Sequence, residues 1–370
     1  MSFDLEKMTF PLKVVRKINE TDDTVSFVFD VPATLKEKFS FQPGQFVTLF
    51  LDINGEAMAR SYSIPSSPAV DRDLKITVKR VPGGKASNFL IDRVHEGDQL
   101  RLSPPAGNFY RPQSDGPHHY VLAAGGSGIT PLFSILKTLL LTDPQSRVSL
   151  LYANRFEDSV IFDHELSSLA ERFPDRLQVR TVISQPSQDW TGWRGRCEGP
   201  QLDQWLGRML NFSRLPVVAY ICGPDGYMKN VRASLTRLRV EKVFEESFSA
   251  GQSSSPTQSH HQVEPIQIGD LRAQNMNEQA EVEVLLNGQK TQHLIRRDQT
   301  ILQALIDAGA NPPYSCLEGN CMACMAKVRA GRVFQIEPGI LMDDNIAAGE
   351  TLTCQAHPSS AKIIIDYDTL

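Results

Sequence analysis

The sequence has no long apolar run. Its most hydrophobic stretch, "LFSILKTLLL" from Leu132 to Leu141, is about half the length of a membrane-spanning helix and is interrupted by Lys137. No membrane span is expected. The opening "MSFDLEKMTF" lacks the basic start and apolar centre of a secretory signal, so the expected location is cytoplasmic. Cysteine is scarce, with 6 in 370 residues, which is too few for a disulfide framework. There is no surplus of positive charge either: 38 Lys and Arg stand against 43 Asp and Glu, a net charge of −5. The electrostatic footprint of a nucleic-acid binder is therefore missing, and no internal repeat is visible.

What is present points to a globular chain too long for a single core, with two or three domains. The acidity is local. Residues 275–370 carry 12 acids against 7 bases, while residues 1–263 carry 29 against 30. An acidic C-terminal part suits docking on a basic protein surface; an ordinary solvated face explains it equally well. Residues 249–263, "SAGQSSSPTQSHHQV", are Ser-, Gln- and Gly-rich without apolar periodicity and read as a linker. "EPIQIGDLRAQNMNEQ" is expected to continue it, to a length of roughly 30 residues.

Ahead of the linker, two patterns follow each other. In the first hundred residues "FVTLFLDI", "ARSYSI" and "LKITVKRV" are short runs separated by turn signals, and Leu74, Ile76 and Val78 alternate with polar residues. Antiparallel strands in a small barrel are expected. In the middle, "HHYVLAAG", "RVSLLYAN", "LQVRTVIS" and "VVAYICGP" are buried strands. Between the first two lies a helix with Leu132, Ile135, Leu136, Leu139 and Leu140 on one face; the helical "FDHELSSLAERF" follows the second. Strand–helix alternation predicts a doubly wound parallel sheet. Beyond the linker, strands "EVEVLL" and "AKIIIDYD" surround one helix, "QTILQALIDAGA".

Two glycine turns carry binding chemistry. "LAAGGSGITP", Leu122–Pro131, stands between a strand and an amphipathic helix, where backbone N–H groups and the helix dipole hold a pyrophosphate. "VPGGKASNFL" offers Gly83, Gly84 and Ser87 ahead of a second helix start. In "MARSYSIPSS", Arg60 suits a phosphate, Tyr62 a planar ring and Ser63 a ring nitrogen. The fourth middle strand ends in Cys222-Gly223-Pro224 at the carboxyl edge of the sheet. Taken singly, each has a plain structural reading: a turn with a surface Arg, or a small buried Cys.

In this order the four motifs resemble the ferredoxin–NADP reductase superfamily over residues 8–248. The resemblance implies FAD on a six-stranded antiparallel β-barrel, held by Arg60, Ser61, Tyr62, Ser63, Lys79, Gly83, Gly84 and Ser87. It implies a nicotinamide cofactor, NADPH or NADH, on Gly125, Gly126, Gly128, Thr130, Pro131, Cys222, Gly223 and Pro224. Tyr62 would stack on the isoalloxazine, Ser63 would bond near N5 and Cys222 would lie near the nicotinamide. "FEESF" places Glu246 at hydride transfer and Phe248 over the flavin or closing the domain. A strand-end acid and a core Phe are the alternative. In "YANRFEDS", Arg155 would favour the phosphate of NADPH, whereas Glu157 or Asp158 would favour NADH.

Four of the six cysteines cluster. Cys316-x4-Cys321-x2-Cys324 with a remote Cys354 matches a plant-type [2Fe–2S] ligand set; structural zinc more often uses two paired knuckles. Residues 280–370 resemble a plant-type ferredoxin with an α+β β-grasp fold, with Met322-Ala323 as a departure. The implied organisation is an FAD-binding barrel at 8–113, an NAD(P)-binding domain at 114–248, a linker at 249–279 and a ferredoxin domain at 280–370. That order, with "NCMACMAKV", "CQAHP" and "YANR", resembles single-chain oxygenase reductases of the phenylacetyl-CoA epoxidase and ketosteroid 9α-hydroxylase type. It implies electron flow from NAD(P)H through FAD and [2Fe–2S] to an oxygenase, epoxidase or desaturase. A hybrid-cluster protein as acceptor, or a redox-sensing role, is the alternative.

Overall fold

The computed structural model describes residues 9–248, 266–268, 278–317, 319, 322–335, 341 and 343–369. The chain divides into two compact units, Thr9–Ser249 and a second that takes in Ala250–Leu370.

The first unit begins with β1 (Phe10–Thr21), β2 (Thr24–Asp30), β3 (Phe46–Ile53), β4 (Glu56–Ser63), β5 (Leu74–Lys79) and, after helix α1 (Lys85–Arg93), β6 (Gln99–Leu102). All are antiparallel, in the order β4-β3-β6-β1-β2-β5. The edge strands β4 and β5 approach each other, which curls the sheet into a barrel. The alternation seen in the sequence at β5 is real: Leu74, Ile76 and Val78 are buried together with Leu12, Phe27, Val47 and Leu49.

The parallel sheet follows. Its strands are β7 (His119–Gly125), β8 (Arg147–Asn154), β9 (Leu177–Ile183), β10 (Trp193–Arg194), β11 (Val217–Cys222) and β12 (Lys242–Glu246). Their order is β10-β9-β8-β7-β11-β12. Chain order reverses between β7 and β11, so the crevice over their carboxyl ends is where such a sheet binds ligands. Helix α2 (Ile129–Thr142) buries Leu132, Ile135, Leu136, Leu139 and Leu140 on one face of this sheet. Helix α3 (Asp163–Arg172) packs with it through Leu166. Helices α4 (Gly199–Leu210) and α5 (Asp225–Arg237) cover the other face. Helix α4 lies in a stretch that reads as polar; its buried Leu202, Trp205, Leu206 and Met209 follow a helical period.

Barrel and parallel sheet form one unit because α2 is tied to the loop after β4. Ser134 Oγ donates to Ser66 O at 2.6 Å, Ser67 and Thr138 share a hydroxyl hydrogen bond at 2.7 Å, and Lys137 pairs with Asp71.

The second unit contains β13 (Ile266–Ile268), β14 (Gln279–Leu286), β15 (Gln289–Arg296), α6 (Ile301–Asp307), β16 (Met325–Ala330), β17 (Val333–Gln335), α7 (Asp343–Ala347), β18 (Glu350–Leu352), β19 (Ala356–Pro358) and β20 (Lys362–Asp366). Five strands form the sheet β15-β14-β20-β16-β18, and three form β13-β17-β19. Strand β13 corrects the expected linker of 249–279. Ile266–Ile268 pairs in parallel with Val333–Gln335, and Ile266 is buried in the unit's core. A three-residue strand with a β-branched residue at its start suffices to join a sheet edge when the unit's core has a place for that one side chain. The remaining linker residues 249–265 and 269–277 lie outside the described residues. Among the described residues no helix is long and apolar enough to cross a membrane.

Candidate functional site

The flavin-type motif lies on an edge strand of the barrel. Arg60 on β4 is exposed, and its Nη1 donates to Ala59 O at 2.7 Å. Ser61 bonds Thr48 across the strand pair at 2.8 Å. Tyr62 is half-buried against the barrel core; burial pushes its hydroxyl up to about 12, against the pull of the Arg60 guanidinium. Ser63 is buried. The second turn is a tight cradle. Gly83 has φ +71°, and a Cβ on Gly84 would stand 2.9 Å from both Ser87 Oγ and Val81 Cβ. Ser87 Oγ accepts from Val81 N at 3.1 Å, so the turn ahead of α1 is closed on itself and presents backbone. A residue with no side chain at that point is what close approach of a phosphate requires. Lys79 is taken up by an ion pair with Asp23 at 3.4 Å. Phe248 is 46% exposed, so it is not a core residue.

The nicotinamide-type motif occupies the carboxyl edge at the switch point. Pairing sets Ala124, Cys222 and Glu246 side by side at the ends of β7, β11 and β12. The turn after β7 and the turn after β11 touch through glycine. A Cβ on Gly128 would lie 2.2 Å from Cys222 O, one on Gly223 3.0 Å from Gly125 Cα, and one on Gly125 2.9 Å from Pro224 Cδ. Only glycines allow this approach. Thr130 Oγ1 donates to Ser127 O at 3.0 Å, and Pro131 sits in the first turn of α2, where its missing N–H costs nothing.

The two motifs meet at Glu246. Burial raises its carboxyl to about 8, while a hydrogen bond with Ser63 pulls the other way. At neutral pH it therefore holds a proton. Its Oε2 is shut off from solvent and has no partner among the described residues. Cys222 is fully buried, and burial together with the Glu246 charge pushes its thiol well up, so it is a neutral thiol. Tyr227, in the first turn of α5, presses its ring on Gly125 and Gly223, and its hydroxyl is likewise buried without a partner. Unpaired buried polar atoms are costly, and two of them beside a glycine cradle fit a site completed by a ligand. Tyr227 belongs to none of the motifs read from the sequence, although "CGPDGYM" shows an aromatic just beyond the turn. Arg155 lies at the end of β8, exposed, with Nε donating to Gln185 Oε1 at 3.1 Å. Glu157 Oε1 accepts from Ser187 Oγ and Ser187 N, both at 2.8 Å, which holds this carboxyl below its usual range.

In the second unit Cys316, Cys324 and Cys354 are all buried; Cys321 lies outside the described residues. Hydrogen bonding to Cys354, burial and the nearby Cys316 push the Cys324 thiol well up. Leu317 (φ +66°), Gly319 (φ +77°) and Met322 (φ +52°) turn the loop through the left-handed region. Thr353 N and Oγ1 both donate to Cys324 O, at 3.1 and 2.9 Å, and Tyr367 donates to Thr353. Gln355 Nε2 donates to Leu317 O at 3.2 Å and approaches Cys354 Sγ at 3.7 Å. Cys324 lies against Cys354, with Cys316 near enough to act on it by charge; among the described residues no three donors stand close enough to hold a metal ion, and the fourth cysteine of the set, Cys321, lies outside them. Buried soft donors of this kind fit an iron–sulfur cluster.

Comparison with known proteins gives the same division. Residues 11–110 match the oxidoreductase FAD-binding domain, 122–233 the oxidoreductase NAD-binding domain and 284–359 the 2Fe–2S iron–sulfur cluster binding domain. The chain is 32% identical to a component of the 1,2-phenylacetyl-CoA epoxidase of Escherichia coli K12, over 97% of this chain and 98% of that one. It is 37% identical to the ferredoxin reductase component of 3-ketosteroid-9-alpha-monooxygenase from Rhodococcus rhodochrous, over 96% of both. Phthalate dioxygenase reductase shares the fold, with a TM-score of 0.56 at 23% identity, over 99% of this chain and all of that one. The chain thus belongs to the family of oxygenase reductase components, in which FAD, NAD(P)H and [2Fe–2S] modules are joined in one polypeptide for electron transfer.

Proposed function

We propose that this reductase serves a two-component system whose acceptor is an oxygenase, epoxidase or desaturase, and that NADPH is its preferred electron source. The observation that carries the reading is the meeting of Ser63, Cys222 and Glu246 at the switch point of a chain that also gathers buried cysteine thiols.

When bound, FAD would supply a hydride acceptor for NAD(P)H, and a [2Fe–2S] centre would supply one-electron transfer. Arg60 and the Gly83–Ser87 turn would hold the FAD phosphates, and Tyr62 would cover the flat face of its ring. Ser63 and Glu246 hold a proton beside the ring, because the Glu246 carboxyl is neutral at pH 7. Gly125, Gly126, Gly128, Thr130 and Pro131 seat the nicotinamide dinucleotide, and Cys222, Gly223 and Pro224 wall its reactive end. Cys222 acts by shape, since a thiol buried so deeply does not ionise. Arg155 takes the extra phosphate of NADPH. The rival acid Glu157 is already committed to Ser187, which favours this choice. Cys316, Cys321, Cys324 and Cys354 hold the cluster.

Two of the relatives are parts of an epoxidase and of a monooxygenase, which supports an oxygenase-type acceptor here. The acidic residues 275–370 support a basic docking face on it. The linker composition of residues 249–263 supports a tether between flavin and acceptor, and we place the protein in the cytoplasm.

Affinity capture from the native host, followed by NADPH-driven turnover of the captured acceptor, tests the proposal. Efficient ferricyanide reduction without electron delivery to any captured oxygenase, epoxidase or desaturase overturns the acceptor assignment. A kcat/KM ratio favouring NADH, unchanged in Arg155→Ala, overturns the cofactor preference.

A further inference from the structure

Phe156 is among the few large apolar side chains that the first unit leaves exposed, at 41%. It lies two residues past the end of β8, the strand beside β7. Gly125 of the glycine turn pairs with Ala153 in that register. In a sheet of this order the pyrophosphate sits on the turn after the first strand, and the adenosine half runs out over the end of its neighbour.

The backbone presenting Phe156 is pinned on both sides. Phe156 N donates to Ser159 Oγ at 3.2 Å, and Ser159 Oγ donates back to Phe156 O at 2.7 Å. Ser184 N and Gln185 N donate to Asn154 O and Arg155 O at 3.0 and 2.9 Å. Glu157, the next residue, is fastened to Ser187. The Arg155 guanidinium stands over the Phe156 ring, 5.1 Å from its centroid. An exposed cation–π pair contributes only a little to folding, and this one is held on a pinned backbone. It suits a ligand that is flat and aromatic at one point and anionic at the next.

We propose that Phe156 is the adenine platform of the nucleotide site and that it acts jointly with Arg155. The ring stacks the purine while the guanidinium grips the 2′-phosphate, so the pair selects adenine nucleotides phosphorylated at that position. This rests on the assignment of residues 125–131 as the NAD(P)H turn. It deepens the cofactor preference by adding a residue that recognises the base.

The test uses the full-length protein loaded with FAD and cluster, and the variant Phe156→Ser. Base–aromatic stacking predicts that the Kd of NADP+, measured by calorimetry, rises about tenfold. The kcat/KM for NADPH, with ferricyanide as acceptor, falls by a similar factor. The kcat/KM for reduced nicotinamide mononucleotide, which lacks the adenosine half, stays where it was. Phe156→Trp restores NADP+ affinity. Unchanged NADP+ affinity in Phe156→Ser overturns the proposal, as does a parallel loss with the mononucleotide, which would mark a structural role. Loss of coupling to an acceptor protein with NADP+ affinity intact makes the ring a protein contact instead and also overturns it. Failure of the underlying site assignment is separable: the wild-type protein would then oxidise neither NADPH nor NADH.

Discussion

The switch-point crevice of the first unit and the cysteine loop of the second are both incomplete without a ligand, but in opposite ways. The crevice is built on regular structure. Three parallel strand ends align Ala124, Cys222 and Glu246, and glycines let two turns touch. Its unmet demand is a shortage of partners, at Glu246 Oε2 and Tyr227 Oη. The loop is irregular, with left-handed residues at Leu317, Gly319 and Met322, and its demand is a surplus: the buried Cys324 and Cys354 thiols set against each other. A site short of partners can be filled and emptied with modest rearrangement. A crowd of thiols is relieved only when protons leave and a metal stays. The difference matches a passing nucleotide on one side and a resident cluster on the other.

The largest expected effect breaks the loop alone. Cys354→Ser should abolish the visible and EPR signature of the cluster and cut cytochrome c reduction by about 100-fold, a loss of about 2.7 kcal/mol in coupling. Ferricyanide reduction, which the flavin side supports, should stay within about twofold. Equal loss of both activities would remove the division of labour.

The converse substitution is Gly128→Ala. A Cβ 2.2 Å from Cys222 O has no flexible neighbour to displace, so about 1–3 kcal/mol of stability should go, together with most NAD(P)H-dependent turnover. Differential scanning calorimetry and kcat/KM read both. The cluster absorbance should not change; if it does, the two sites are not built independently. Gly126→Ala meets no atom within 4 Å and carries only the strain of φ +53°, so it should cost about 1 kcal/mol.

Ile266→Ala probes the second unit. Emptying this buried position should cost about 2 kcal/mol, visible as a lower thermal midpoint of the cluster absorbance, with flavin reduction unaffected. An unshifted midpoint would return Ile266–Ile268 to the linker.

The smallest effect is in pH dependence. Glu246 holds its proton up to about 8 in the folded protein, against an ordinary value of 4.5. A raised carboxyl is most stabilising below its unfolded value, and its contribution is lost as pH climbs from 4.5 toward 8. Flavin reduction by NADPH should likewise decline through about pH 8 in the wild type, and Glu246→Gln should flatten that limb. A limb that persists in the variant belongs to another group.

Legibility in the sequence followed the range of the interactions. Alternation at Leu74, Ile76 and Val78 and the face of α2 are local periodicities, and both appear where expected. Helix α4 was readable from Leu202, Trp205, Leu206 and Met209 but is masked by its polar surroundings. Strand β13 was not readable, because three residues carry no period and only the slot beside β17 gives them a place. Of the two readings of Phe248, over the flavin or in the core, its 46% exposure removes the second.

The sequence by itself determined the candidate donors and cradles: the spacing of Cys316, Cys321, Cys324 and Cys354, and the glycines at 83, 84, 125, 126, 128 and 223. Each is a local fact, because a thiolate set or a glycine turn needs particular residues close together in the chain. Tertiary structure alone decided which distant groups share an environment. It brought Ser63 to Glu246, shut the Oε2 of that carboxyl away from water and so raised its proton affinity. It also tied Glu157 to Ser187 and set Arg155 against Gln185. Those outcomes depend on burial and on partners supplied by remote strands, and neither can be read from the residues flanking a motif.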